Sequence, residues 1–146
     1  MLRGNSPAKI DDKGRLKIPN SFRALIHKEH GAEVFVTSLS GQSVRIYPMP
    51  VWLELERRLG AMPTVHPSRQ KFLDRVNFYG LATEFDPQGR VLIQPRLREI
   101  ALMSGEVDVL GQHSFLEVWN HERFAARLLT DPFTDEDAKA LAAFGI

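Results

Sequence analysis

Two short segments of this 146-residue chain carry the residue types and spacing with which a protein grips a polyanion. In Asp11-Asp12-Lys13-Gly14-Arg15-Leu16-Lys17 an arginine follows an aspartate at a spacing of four, with a lysine two positions away on either side. In Asp86-Pro87-Gln88-Gly89-Arg90 the same aspartate–arginine spacing returns around a second glycine. Arginine presents a planar fork of donors that suits phosphate oxygens and guanine edges, and lysine adds a mobile point charge. The aspartate can accept turn N–H groups or brace the guanidinium. The same residues would also serve as a turn closed by its own ion pair, which on a surface contributes little. Their company favours an anionic partner. Arg3, Lys9, Lys13, Arg15, Lys17, Arg23 and Lys28 crowd residues 1–28, where Asp11 and Asp12 are the only acids.

The formal net charge of +1 hides an uneven division. Residues 1–75 hold 13 Lys/Arg against 7 Asp/Glu, and residues 76–146 hold 6 against 11. A basic half joined to an acidic half suits a polyanion partner for one, or contact between the two across subunits. The chain has no cysteine, which excludes disulfides, thiolate metal sites and a thiol nucleophile. The best case for a metal enzyme is His27-Lys28-Glu29-His30, with His66, His113 or His121 to complete a site. Its glutamate is misplaced for a His-Glu-x-x-His motif, and histidines at a helix C-terminus have a simpler role in meeting the helix dipole. No Gly-x-Ser-x-Gly, P-loop or dinucleotide glycine signature occurs. The expectation is therefore no enzyme, no cofactor, no metal and no small-molecule substrate. The longest apolar run, Ala140 to Phe144, is far too short to span a bilayer, and Met1 to Ser6 does not read as a secretion signal, so a cytoplasmic protein is expected.

The elements that must position these residues come in two copies. Asp11 to Arg23 aligns with Asp86 to Arg98, with identities at Asp11/Asp86, Gly14/Gly89, Arg15/Arg90, Ile18/Ile93 and Arg23/Arg98. Each glycine sits where a tight hairpin needs positive φ, in a type I turn followed by a bulge. Leu16 and Ile18 then point to one side of a strand, Arg15 and Lys17 to the other. Phe22, Leu25 and Ile26 match Leu97, Ile100 and Ala101 as a helix face, and Gly31 and Gly105 stand as C-cap glycines. Paired strands follow. In the first copy they are Glu33–Thr37 and Ser43–Tyr47 about a turn at Ser40-Gly41; in the second, Glu106–Leu110 and Phe115–Trp119 about Gly111-Gln112. A helix with an aromatic, Trp52 or Phe124, closes each copy. So few strands cannot bury an apolar face alone, so one β-structure shared by both copies is expected. The divisions are a first repeat over 1–60, a bridging loop and helix over 61–81, a second repeat over 82–130, and a helical tail over 131–146 opened by an N-cap at Thr134.

Asp11-x-Lys13-Gly14-Arg15-x-x-Ile18-Pro19-x-x-Phe22-Arg23, with a second copy running through Leu97-Arg98-Glu99-x-Ala101, resembles the MraZ family of bacterial transcriptional regulators, which is related to the AbrB-type swapped-hairpin domains. Tyr47-Pro48 before Trp52 and Glu117-x-Trp119 extend the likeness over essentially the whole chain. The resemblance implies an α+β, mostly β fold, a double-split β-barrel of two tandem AbrB-like repeats with short flanking helices. It implies homo-oligomeric rings that bind double-stranded DNA at short boxes in direct repeat upstream of a division and cell-wall gene cluster, as a repressor associated with the nucleoid. It implies DNA contact through Asp-x-x-x-Arg, which falls on Arg15 with Asp11 and on Arg90 with Asp86. Lys13, Lys17, Arg3 and Lys9 would support that contact, and Gly14 and Gly89 would shape the loops. Gln88 and Leu92 replace the lysines in the second copy and Pro87 stiffens its turn, so Arg15 is expected to contribute more than Arg90, whose loop is weaker or serves a subunit interface. The rival is a scaffold that binds protein through Trp52, Trp119, Phe78, Tyr79 and Phe133, although the two tryptophans read better as core. An AbrB-like antitoxin fits less well, given the duplication and the lack of a disordered tail.

Overall fold

A computed structural model describes every residue from Met1 to Ile146. The first repeat supplies β1 (Leu2–Ile10), β2 (Arg15–Lys17), α1 (Asn20–His30), β3 (Glu33–Thr37), β4 (Val44–Pro48) and α2 (Met49–Gly60). After α3 (Pro67–Phe78), the second supplies β5 (Leu81–Glu84), β6 (Arg90–Leu92), α4 (Pro95–Ile100), β7 (Gly105–His113), β8 (Leu116–Asn120) and α5 (His121–Thr130). A last helix, α6 (Asp135–Ala142), ends the chain. The eight strands form one antiparallel sheet in the order β5-β3-β4-β8-β7-β1-β2-β6. It curls until its end strands β5 and β6, the arms of one hairpin, come together in a nearly closed barrel. The expected α+β, mostly β barrel is what forms.

Each repeat contributes its first hairpin to the other repeat. β1 pairs along its whole length with β7, and β5 pairs in the equivalent way with β3. β2 meets β6 and β4 meets β8, so every seam between repeats obeys one pseudo-two-fold relation. Alternation decides what lies inside. Leu16 and Ile18 of one hairpin and Val91 and Ile93 of the other are fully excluded from solvent and join an 18-residue cluster that fills the barrel. Outside the sheet, α2 and α3 cover an aromatic group in which Trp52 stacks on Phe35 at 4.5 Å and on Phe72 of α3 at 6.4 Å. Thr37 Oγ1 donates to Val76 O at 2.6 Å, fixing α3 against β3. Trp119 is buried like Trp52, while Phe78 and Phe133 remain exposed.

Two local expectations fail. Gly111-Gln112 is no turn: β7 continues to His113, which takes φ +72°, and the chain reverses over His113 to Phe115. The cause is remote, because Leu2 at the start of β1 pairs with His113 and holds the whole stretch extended. Gly105 caps no helix either. α4 stops at Ile100, Leu102 takes the left-handed conformation with φ +55°, and Met103 N donates to Arg98 O at 2.9 Å, which brings the Met103 side chain into the core. In the first repeat Gly31 does occupy the C-cap of α1. Thr134 caps α6 through a reciprocal capping box with Asp137. One carboxylate is buried: Asp108 of β7 accepts from Asn5 Nδ2 at 3.1 Å and lies 2.8 Å from His121 Nδ1, tying β1 and α5 to β7. Those contacts with Asp108, first the hydrogen bond and then the charge, raise the His121 pKa above the ordinary imidazole value.

Candidate nucleic-acid interface

The two Asp-x-x-x-Arg segments fold as near-copies. In the first, Gly14 N donates to Asp11 O at 3.1 Å and Asp11 N to Arg15 O at 3.0 Å, and Gly14 takes φ +84° as the bulge position demands. In the second, Gly89 N donates to Asp86 O at 2.9 Å and Asp86 N to Arg90 O at 3.0 Å, with Gly89 at φ +77°. The aspartate fills both of the roles its chemistry allows. Asp11 Oδ1 accepts from Lys13 N at 3.0 Å and Arg15 N at 2.8 Å, while Oδ2 accepts from Arg15 Nε at 2.8 Å. Asp86 repeats this with Gln88 N at 2.9 Å, Arg90 N at 2.8 Å and Arg90 Nε at 2.7 Å. The backbone N–H of each arginine, then its side chain, holds its aspartate below the usual carboxylate range, so both loops keep their acid ionised. Bonding through Nε fixes each guanidinium while its outer nitrogens make no hydrogen bond within the protein, so they are available to a phosphate or base edge.

Pairing of β2 with β6 sets the loops side by side. Lys17 stands opposite Arg90 and Arg15 opposite Leu92, about a centre at Leu16 and Val91. Ile18 N donates to Gly89 O at 3.0 Å and Ile93 N to Gly14 O at 2.9 Å, so each loop is stapled to the strand end of the other repeat. Arg90 Nη1 comes within 4.0 Å of Asp11 Oδ2, which links the two aspartate–arginine pairs into one group.

The family model for the MraZ protein, described as antitoxin-like, matches residues 1–75 and again residues 81–144. The chain belongs to the MraZ family. It is 47% identical over 146 residues to a protein of Acidobacterium capsulatum, 46% over 147 to one of Koribacter versatilis, and 38% over 150 to one of Herpetosiphon aurantiacus. Each comparison covers all of both chains, and each relative is named Transcriptional regulator MraZ.

In this MraZ-family chain the remaining sequence candidates divide by position. Lys13 is exposed at the tip of the first loop, and Lys17 and Lys9 border one cavity of about 440 Å³ beside β2. Arg3 lies apart: seven residues up β1 from Ile10, it pairs with Gln112 roughly 23 Å from the loops at the usual strand rise. His27 and His30 fall in the last turn of α1, with no cluster of three or more His, Asp or Glu side chains gathered about them. Sequence reasoning left Arg23 and Arg98 out of the site, yet they cross between repeats to cover its glycines. A Cβ on Gly14 would strike the Arg98 guanidinium, and one on Gly89 would lie 2.7 Å from Arg23 Cδ. The signal was present in the Arg23/Arg98 identity of the repeat alignment.

Proposed function

We propose that the protein is a sequence-specific DNA-binding transcriptional regulator. The observation that carries this reading is the pair of aspartate-braced arginines held on one surface by the β2–β6 seam, with Lys17 opposite Arg90. The names of the relatives support regulation of transcription. The finer reading follows from the family resemblance: repression of a division and cell-wall gene cluster from its own promoter, by a closed ring that engages repeated boxes, with the protein associated with the nucleoid. One subunit offers roughly three to five cationic contacts, each releasing about one counterion, so a single subunit binds weakly and salt-sensitively. Several subunits on adjacent boxes multiply that affinity by orders of magnitude through effective concentration.

The test is fluorescence anisotropy with a duplex from immediately upstream of the protein's own gene and a scrambled duplex, each over a salt series. Preference for the upstream duplex with a steep salt dependence supports the reading. Equal and weak binding to both removes it, and the scaffold reading then takes its place.

Assembly has its own physical support. Leu129, Phe133 and Phe144 on and around α5 and α6 are more than two-thirds exposed, beside the acids Asp135, Glu136 and Asp137. Apolar side chains displayed in this way mark an interaction surface, and the acids suit the basic first half of a neighbouring copy in the head-to-tail contacts a ring needs. Size-exclusion chromatography with light scattering is expected to give a multiple of 16.6 kDa that falls between low and high salt. A monomer at low salt removes the ring, and a mass unmoved by salt removes the electrostatic pairing.

A further inference from the structure

The pseudo-two-fold axis gives each Asp-x-x-x-Arg loop a flanking cleft, built from the loop of one repeat and the helix of the other. The two clefts differ in charge. Beside the first loop, Asp11, Asp12 and Glu99 of α4 line the walls with Arg98. Beside the second loop, Arg23, His27 and Lys28 of α1 line a cleft of about 470 Å³ with Asp86. The acid at that end of α1, Glu29, faces His30 at 3.9 Å, which leaves Arg23 and Lys28 without an ion-pair partner, while Asp86 is already bonded to Arg90. The second loop lost its lysines to Gln88 and Leu92, but the swapped topology returns cations to it: Lys17 arrives opposite Arg90, and α1 arrives across Gly89.

We propose that the cleft between α1 and the Asp86–Arg90 loop is a phosphodiester-binding site, in which Lys28 and Arg23, with an N–H of the His27 imidazole, hold the DNA backbone beyond the paired loops. The inference rests on the DNA-binding reading and extends it, by making the second loop a full contact whose charge comes from the first repeat. The acidic counterpart beside Asp11 repels the backbone. DNA therefore crosses each subunit off-centre, from the two arginines towards α1, and that gives a symmetric fold a polarity matched to direct repeats. Like charge walls on both sides would have favoured a palindrome.

Lys28 is exposed and at a helix end, so Lys28→Gln folds as the parent does. A phosphate contact carries no sequence information, so its loss weakens every duplex alike. In anisotropy titrations on the upstream duplex, the slope of log affinity against log salt is expected to flatten by about 0.9 per engaged subunit, which is roughly eightfold in affinity at 0.1 M salt. The scrambled duplex is expected to lose the same factor. Glu99→Gln in the opposite cleft is expected to leave the slope at the parental value. A parental slope in Lys28→Gln, or a loss confined to the upstream duplex, overturns the backbone site while leaving the regulator intact. Failure of the parent to bind either duplex overturns the DNA reading itself.

Discussion

Arg15→Ala is expected to lower affinity for the upstream duplex by about 100-fold or more, with little change in thermal stability. A guanidinium reading a guanine edge is worth about 1–3 kcal/mol of discrimination, and the charge alone is worth close to a tenfold factor at moderate salt. Every subunit of an assembly bears the change, so the losses multiply across adjacent boxes. Stability responds weakly because the Arg15 side chain is 35% exposed, and a pair so open to solvent contributes little. The turn also survives, since Asp11 keeps its bonds from Lys13 N and Arg15 N. Arg15→Lys separates the two contributions. It retains the charge but not the fork held through Nε, so binding to the scrambled duplex is expected to persist while preference for the upstream sequence falls. Parental affinity in Arg15→Ala would reduce the Asp11 loop to a turn with its ion pair, and the weight of recognition would shift to Arg90, Lys17 and α1.

The parts of this site that the sequence discloses are those set by near neighbours. Gly14 and Gly89 reveal their positive φ because a type I turn with a bulge needs it at that place, and Leu16 and Ile18 reveal the inner face of β2 through alternation alone. The aspartate four residues before each arginine is likewise a local fact. What decides the electrostatics is remote. β2 and β6 have three residues each, and their alternation is the same whether a hairpin packs in its own repeat or in the other. Only the seam shows that Lys17 belongs beside Arg90, and that α1 rather than α4 flanks the second loop. Read along the chain, Gln88 and Leu92 make that loop look depleted; read across the barrel, it is the more basic of the two. The turn expected at Gly111-Gln112 fails for the same reason, because a glycine followed by a polar residue mimics a reversal until a nine-residue partner strand straightens it.

That straightened glycine yields the largest expected loss of stability. Gly111 faces Gly4 across the β1–β7 seam, and the two are glycines for different reasons. Gly4 takes φ +88° with open space where a Cβ would stand, so Gly4→Ala incurs only the strain of a left-handed residue, about 1–2 kcal/mol. At Gly111 an added Cβ would lie 2.6 Å from both Arg3 Cα and Leu2 C. Main chain cannot rotate out of the way as a side chain does. Gly111→Ala therefore pushes the start of β1 off β7, and Leu2, now in the core, is partly returned to water. Overpacking and the lost burial together come to about 3–5 kcal/mol. For a chain of this size the midpoint of thermal unfolding is expected to fall by roughly 10 °C in Gly111→Ala, against about 3–6 °C in Gly4→Ala. The damage lies at the Arg3 end of β1, away from Ile10 and the Asp11 loop, so the folded fraction well below its midpoint is expected to keep parental DNA affinity. Equal midpoints for the two variants would show that β1 yields at no cost, and that the swapped seam is held by its other end, where Ile10 meets both Leu16 and Gly105.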